Sequence, residues 1–306
     1  MKLQRTIREP IDFEGVGLHK GVNVNLSLKP AEVNTGIKFE RTDISSDKNT
    51  IEANYKNVNS SVLCTKINNS YGISVSTIEH LMAAFYGEGI DNVVVEINAP
   101  EVPIMDGSSF DFVTAIRSFG TVEQNSLRKY IKVLKKVKIT DGERYISIEP
   151  CKKDLIIDFE IVYKNPLIRT RRKEFKLSNG DLTSIYNSKT FCLYEEIDNI
   201  KSKGLGKGGS LENAIVVKEN RILNEDGLRY RDEFVNHKIL DCLGDLMLSG
   251  NRIFGHIKTS QGGHQLTTTF LNRFLSDKSN WEFVSLEGKE KDNKNSEYVN
   301  PVAVSS

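Results

Sequence analysis

The succession of secondary-structure patterns repeats in the two halves of this chain, and the repetition constrains the fold more than any other feature. Each half opens with strand-like runs and continues with a helix, a strand, a loop and a second helix. Landmark distances also agree, because His80 to Gly107 and His237 to His264 both span 27 positions. We interpret the repeat as an internal duplication. It predicts two α+β domains, each with its strands first and its helices after them.

The element pattern divides the chain into two domains and a tail. We expect an N-terminal α+β domain over residues 1–124, a C-terminal α+β domain over 129–285 and a frayed, polar tail over 286–306. The polar, unpatterned stretch Gly120–Arg128 is the predicted linker. Residues 191–217 lack a counterpart in the first half and are predicted to form an insert with a short amphipathic helix. The predicted helices cover about 77–86, 109–119, 232–248 and 266–275, and the predicted strands include 22–28, 36–39, 92–97, 130–139, 145–149, 155–163 and 253–258.

Charge and composition exclude several classes of partner. The chain has 42 basic and 41 acidic residues, so no global field attracts nucleic acid or an anionic membrane. The first ten residues lack an apolar core, which argues against a signal peptide, and no apolar run is long enough to cross a bilayer. The four cysteines form no Cys-x-x-Cys pair and fit reduced thiols. We therefore expect a cytoplasmic protein with no nucleic-acid partner and no integral membrane segment.

Two of the five histidines lie on the faces of predicted helices that point away from the core. On a helical wheel, His80 lies opposite the apolar stripe of the first helix, and His237 lies opposite that of the third. Asp241 follows His237 by one turn, so both side chains reach one point in space. Two histidines and a carboxylate with an open fourth position are typical of catalytic zinc. The alternative is a solvated contact on an exposed helix, which is the usual meaning of a His-x-x-x-Asp pair.

The remaining candidates each allow two interpretations. Ser76 and Glu79 have the spacing of a capping box, which the sequence alone favours, whereas a general base at Glu79 is the alternative. His264 follows two glycines at a loop-to-helix junction, as in an ordinary loop or in a ligand-binding turn. His19 lies in a glycine-rich turn that either connects strands or contacts a substrate. His256 alternates with apolar residues and is predicted to be structural.

Several consecutive motifs, in order over nearly the whole chain, carry a family resemblance. They are Gly15-Val-Gly-Leu-His19, Ser76-Thr-Ile-Glu-His-Leu-Met-Ala-Ala84, Pro100-Glu-Val-Pro-Ile-Met-Asp-Gly107, Lys189-Thr-Phe191, Gly208-Gly-Ser210, Asn213-Ala-Ile-Val216, Leu223-Asn224, Leu228-Arg229, Asp232-Glu-Phe-Val235, His237-Lys-Ile-Leu-Asp241 and Gly263-His264. With these motifs the chain resembles the UDP-3-O-acyl-N-acetylglucosamine deacetylases, the zinc enzymes of the committed step of lipid A synthesis. The resemblance implies two similar domains, each a β-sheet packed with two helices, with the active site between them. It also implies a small β-α-β insert in the second domain, which forms an apolar passage for an acyl chain.

The resemblance also implies roles for individual residues. The zinc ligands would be His80, His237 and Asp241. Glu79 would be the general base and His264 the general acid, with Asp245 orienting or pairing His264. Thr190 would contact the oxyanion, and Lys238 and His19 would contact the polar part of the substrate. Cys64 would lie near the metal. Contacts to the acyl chain would come from Phe191, Leu193, Tyr194, Ile197 and Leu211.

Departures from the family pattern concern the passage and leave the expected ligands untouched. Cys192-Leu193 stands where Gly-Phe is common, Lys207 stands where an apolar residue is common, and the segment 265–269 is unusually polar. They bear on the length of the acyl chain and the width of the passage. Iron(II) suits the same ligands as zinc. We expect a monomer acting on an acylated UDP-amino sugar; the competing hypotheses are a non-catalytic metal- or acyl-sugar-binding protein and a zinc amidase for another acylated amine.

Overall fold

The computed structural model describes residues 2–60 and 62–286 and has an α+β architecture with two related halves. The predicted tail lies outside the described residues, apart from Leu286. Among the described residues, no helix has both the length and the apolar character needed to cross a membrane.

The first half consists of a five-stranded sheet, two smaller sheets and two helices. The large sheet has the order β2-β3-β9-β4-β5, in which β9 is antiparallel to β3 and parallel to β4. Strands β6, β7 and β8 form a separate three-stranded sheet, and β1 pairs with β10. The elements are β1 (Leu3–Ile7), β2 (Ile11–Val16), β3 (Asn23–Pro30), β4 (Ile37–Arg41), β5 (Thr50–Glu52), β6 (Val58–Ser60), β7 (Lys66–Asn68), β8 (Ser74–Ser76), α1 (Glu79–Glu88), β9 (Val93–Ile97), α2 (Phe110–Phe119) and β10 (Thr121–Leu127).

The second half repeats this plan and adds an insert. Its seven-stranded sheet is centred on β19, which is antiparallel to β13 and parallel to β11 and β14. The insert is a β-α-β unit, in which the parallel strands β16 and β17 flank α4, and β18 pairs with β17. The elements are β11 (Lys129–Val133), β12 (Val137–Asp141), β13 (Arg144–Pro150), β14 (Leu155–Ile161), β15 (Arg171–Lys176), α3 (Thr183–Tyr186), β16 (Phe191–Leu193), α4 (Ile197–Ser202), β17 (Ile215–Lys218), β18 (Arg221–Ile222), α5 (Glu233–Met247), β19 (Arg252–Ser260), α6 (His264–Ser276) and β20 (Trp281–Ser285).

Corresponding elements occupy corresponding places in the two halves. In each half a helix is followed by a central strand of the main sheet, β9 after α1 and β19 after α5, and then by a second helix, α2 or α6. The α+β fold with repeated halves that the landmark spacing predicted is confirmed. Helices α1 and α5 pack against each other, and α5 also covers β14, β15 and β19. Residues of α1 and α5 are thereby brought from two separate halves into one buried interface.

Two local predictions were wrong. Gly120–Arg128, the expected linker, contains strand β10, which pairs antiparallel with β1. This strand lacks a clear apolar alternation because it pairs on one side only and exposes much of its length, so polar side chains are tolerated. The single strand expected over 130–139 is two strands, β11 and β12, which pair with different neighbours in the second sheet.

A buried ion network joins the two halves at the far end of α1. The Asp91 carboxylate forms ion pairs with Arg128 Nη2 at 2.7 Å and with Arg252 Nη1 at 2.5 Å. The Arg252 guanidinium also donates to the Phe85 and Tyr86 carbonyls in the last turn of α1. Cations placed there complement the negative end of the helix dipole and fix α1 against the second half.

Candidate metal centre and active site

Helix α1 begins one residue before His80, and its first turn points a carboxylate inward. Thr77 precedes the helix with a φ of 57°, a rare backbone conformation for a β-branched residue. Its hydroxyl donates to Glu101 Oε1 at 2.9 Å, which helps to hold that conformation. The predicted capping box was wrong: no side chain caps α1 among the described residues, and Ser76 Oγ donates instead to the Pro100 carbonyl. Glu79 is therefore buried inside the protein rather than folded back over the helix end.

The histidine-bearing faces of α1 and α5 are turned toward each other. The His80 and His237 rings lie 5.0 Å apart between centroids, at an interplanar angle of 84°. His237 is 1% exposed and Asp241 is 5% exposed, so the expected alternative of a solvated surface contact does not hold. The wheel argument placed both imidazoles away from their own cores, and the packing of α1 on α5 buries that second face.

Three donor atoms from His80, His237 and Asp241 converge on one point. Asp241 Oδ1 lies 3.4 Å from His80 Nε2 and 3.4 Å from His237 Nε2, and the three ligand atoms all lie within 4.8 Å of one another. Two ligands at about 2.1 Å from one tetrahedral ion are about 3.4 Å apart. Among the described residues, Asp241 Oδ1 is buried without a hydrogen-bond partner, a costly state unless a cation lies there. The donor set therefore fits a divalent metal ion.

The surroundings of His237 and Asp241 prepare both side chains for a metal. His237 Nδ1 lies 3.0 Å from the Ser188 carbonyl, which accepts a hydrogen bond from Nδ1–H and leaves Nε2 free as a ligand. Burial lowers the pKa of His237 to about 3, so the ring is neutral at pH 7. Burial opposes the charged form of Asp241, but His237 and Lys238 together hold its pKa well below the ordinary value. Lys238 Nζ donates to Asp241 Oδ2 at 2.9 Å, so the other oxygen faces the histidines.

Beside the donor set, His264 lies between two carboxylates. His264 Nδ1 is 2.8 Å from Asp245 Oδ2, and its Nε2 is 3.6 Å from Glu79 Oε1. Burial alone lowers the pKa of His264, but the Asp245 and Glu79 carboxylates outweigh it and raise the pKa to about 10. Burial raises the pKa of Glu79. A cationic acid and a carboxylate of raised proton affinity thus face the same space.

A small cleft lies between these groups, with a volume of about 30 Å³, which is room for about two water-sized particles. Thr190, Lys238 and His19 line it together with the metal donors, Glu79 and His264. Among the described residues, both ring nitrogens of His19 are buried without a hydrogen-bond partner, and burial lowers its pKa. A neutral imidazole with both nitrogens unused is able to contact a polar ligand in the cleft.

An apolar cavity of about 410 Å³ adjoins the cleft and shares part of its lining. Leu18, His19, Leu63 and Thr190 line both spaces, so the cleft is the inner end of the larger cavity. The β-α-β insert supplies most of the other walls, which include Phe191, Cys192, Tyr194, Ile197, Ile200, Leu211, Ala214 and Val216. The cavity suits a flexible hydrocarbon chain that ends at the polar cleft.

Two of the residues expected at the site line neither the cleft nor the cavity. Leu193 is not part of the cavity lining and packs against the hydrophobic core, whereas its neighbour Cys192 lines the cavity. Cys64 is buried beside Thr77 and Glu79 and does not line the cleft. Burial and then the Glu79 charge raise the pKa of Cys64 to about 12, so it is a neutral thiol.

Three buried polar residues that sequence reasoning missed hold the site in place. Thr65 bonds to both Glu79 and Asp245. The Glu101 carboxylate accepts hydrogen bonds from the backbone amides of His19 and Lys20. The Glu233 carboxylate accepts hydrogen bonds from the backbone amides of Arg229 and of Lys189, the neighbour of Thr190. Glu101 and Glu233 lie within quoted motifs. A single sequence gives no sign of the partners of these residues, because each bond spans at least four positions and most span tens.

Known proteins of one family match this chain over most of its length. Residues 4–276 match the family model described as UDP-3-O-acyl N-acetylglycosamine deacetylase. Proteins named UDP-3-O-acyl-N-acetylglucosamine deacetylase are 43% identical in Shewanella pealeana over 290 residues (94% of each chain) and 42% identical in Histophilus somni over 304 residues (98% of each chain). The one from Pasteurella multocida is 41% identical over 290 residues, again 94% of each chain. Through this match over most of its length, the chain belongs to the UDP-3-O-acyl N-acetylglycosamine deacetylase family.

Proposed function

We propose that this protein hydrolyses the N-acetyl group of UDP-3-O-acyl-N-acetylglucosamine, giving UDP-3-O-acyl-glucosamine and acetate, as a step of lipid A biosynthesis. The observation that carries the proposal is the position of the three metal donors, Glu79 and His264 around one cleft at the inner end of an apolar cavity. A polar reaction centre joined to an oily passage matches a substrate with one amide and one acyl chain.

Zinc held by His80, His237 and Asp241 is the proposed cofactor, and iron(II) fits the same donors. When bound, such an ion polarises the amide carbonyl and makes water more acidic. The charge of Asp241 and the neutrality of His237 follow from the directions of their pKa values. The site thus offers an anionic carboxylate and a neutral imidazole, with His80 as the third donor.

Glu79 and His264 divide the proton transfers between them. Glu79 Oε1 faces the cleft and takes a proton from the attacking water. An amine leaves only after it is protonated, and the cationic His264 supplies that proton through Nε2. Asp245 forms a hydrogen bond with Nδ1 of the same ring, so the ring keeps its orientation and its positive charge until it donates the proton. The Thr190 hydroxyl, at the cleft wall, is proposed to donate to the carbonyl oxygen as negative charge develops there.

The rest of the substrate is bound by groups outside the proton-transfer pair. Lys238 and His19 are proposed to contact its polar part, since both line the cleft. Burial opposes the charge of Lys238, but Asp241 outweighs it and raises the pKa, so the ammonium persists at neutral pH. Phe191, Tyr194, Ile197 and Leu211 are proposed to contact the acyl chain. Each buried methylene contributes about 0.8 kcal/mol.

Because every proposed group comes from one chain, we propose that the enzyme acts as a monomer. All four cysteines are free thiols, which fits a reducing compartment, and we propose that the enzyme acts in the cytoplasm. Light scattering at the assay concentration tests the monomer, and cell fractionation tests the location. A dimer whose separated subunits lose activity would contradict the first.

Acetate release from a defined substrate panel tests the function. We expect about one zinc per chain and rapid release of acetate from UDP-3-O-acyl-N-acetylglucosamine, with little from UDP-N-acetylglucosamine or simple acetylated sugars. Binding of the acylated sugar without acetate release would favour a non-catalytic binding protein. Equal rates on unrelated acylated amines would favour a general zinc amidase.

A further inference from the structure

Thr65 forms hydrogen bonds to two carboxylates of the site at once. It lies in the loop between β6 and β7 and is completely buried. Its amide donates to Glu79 Oε2 at 3.1 Å, and its hydroxyl donates to Asp245 Oδ1 at 2.6 Å. The two carboxylates come from different halves of the protein, so this loop residue is their common partner.

The two bonds leave one oxygen of each carboxylate facing His264. Glu79 Oε1 lies 3.6 Å from His264 Nε2, and Asp245 Oδ2 lies 2.8 Å from His264 Nδ1. The terminal torsion of a carboxylate has broad minima, so packing alone holds it loosely. A fixed donor on the opposite oxygen sets that torsion, and Thr65 supplies such a donor to both groups.

The same loop reaches the apolar cavity through Leu63. This residue has a φ of 63°, a conformation that is unfavourable for a side chain with a Cβ atom. Its side chain is about half exposed, at 49%, and lines both the cavity and the cleft. An acyl chain in the cavity would cover Leu63, and Thr65 lies only two residues further along.

We propose that Thr65 is a positioning residue that aligns the general base with the acid's partner, and that Leu63 makes this alignment depend on the acyl chain. The proposal rests on the deacetylase function proposed above. Binding energy from the acyl chain, remote from the amide, would then increase kcat as well as affinity, because it would order the loop that holds Glu79 and Asp245.

The hydroxyl of Thr65 is tested with Thr65→Val, which keeps the shape, and Thr65→Ser, which keeps the donor. We expect Thr65→Val to lower kcat about tenfold or more, equivalent to about 1.4 kcal/mol, with KM and bound zinc unchanged. Thr65→Ser should recover most of the loss. Wild-type kcat in Thr65→Val, or an equal loss in Thr65→Ser, would overturn the positioning role.

Coupling to the acyl chain is tested by comparing a full-length and a shortened acyl substrate in wild type and Thr65→Val. In the wild-type enzyme kcat should fall on shortening, and in Thr65→Val the ratio of the two kcat values should move toward one. The same ratio in both enzymes would refute the coupling. If valine prevents folding, judged by circular dichroism and zinc content, Thr65→Ala removes the same hydroxyl. Failure of the wild-type enzyme to release acetate from either substrate would instead refute the proposed function.

Discussion

Glu79→Gln separates a catalytic role from a structural one at the start of α1. The carboxylate is 3% exposed, accepts the Thr65 amide and faces His264. Glutamine keeps the shape and the acceptor oxygen but cannot take a proton from water. Loss of a general base costs about 10²–10⁴ in rate, which corresponds to about 3–5 kcal/mol of barrier. We therefore expect kcat to fall by that factor.

The free energy of unfolding should not fall in Glu79→Gln as it would after the loss of a helix cap. Burial disfavours the charged form of Glu79 and raises its pKa, so a neutral amide removes a desolvation cost. No capping bond is lost, because α1 has no side-chain cap among the described residues. The free energy of unfolding in urea should change by less than about 1 kcal/mol, within the range of undisruptive substitutions.

Acetate release, elemental analysis and urea denaturation are measured on the same preparations. Glu233→Gln is the matched control, since Glu233 is also fully buried but accepts the Lys189 and Arg229 amides. It should lose about 1–3 kcal/mol of stability and keep bound zinc. If Glu79→Gln keeps activity within tenfold of wild type and loses stability as Glu233→Gln does, Glu79 is structural and the reasoning is refuted.

Three further substitutions test the acid, the ligands and the domain contact. Asp245→Asn removes one of the charges that raise the pKa of His264 to about 10. Because the cation is the acid form, the alkaline fall in kcat should move to lower pH in a pH–rate profile. An unchanged profile would argue against His264 as the acid. His237→Ala should reduce zinc well below one per chain by elemental analysis, and unchanged zinc would remove His237 from the ligand set. Asp91→Ala leaves two buried guanidinium groups without their carboxylate, so the free energy of unfolding in urea should fall by about 3–5 kcal/mol, and a loss below 1 kcal/mol would contradict the network.

Helices and central strands could be predicted because their patterns depend on residues close in sequence. Ile78, Leu81, Met82 and Phe85 recur at helical spacing, and all four are completely buried. The order of elements, repeated in both halves, then predicted the α+β class. Strand β10 could not be predicted in this way, because its partner β1 lies more than a hundred residues away and its own side chains are mostly polar.

Apart from the family resemblance, the site was predictable only where two helical positions share a face. His237 and Asp241 are one turn apart on α5, so their meeting follows from helix geometry. Glu79 is different, because its spacing to Ser76 satisfies a local rule while its real partner, Thr65, comes from another loop. Local hydrogen bonds compete with tertiary ones, and a sequence pattern reports only the local alternative.

The approach of the two halves depends on two glycines that look unfavourable in isolation. Gly87 follows His80 by seven residues and Gly244 follows His237 by seven, at equivalent positions of α1 and α5. A glycine inside a helix costs about 1 kcal/mol relative to alanine. A Cβ atom on Gly244 would lie 2.0 Å from the Glu79 carbonyl oxygen, and one on Gly87 would lie 1.7 Å from the Tyr186 hydroxyl. Each glycine thus admits an atom from the opposite half. Because the contact at Gly244 is backbone against backbone at Glu79, it sets the separation of α1 and α5, and with it the distance between His80 and the two donors on α5. Both related halves thus give up local helix stability at the same position, and at Gly244 this brings the histidine-bearing helices together.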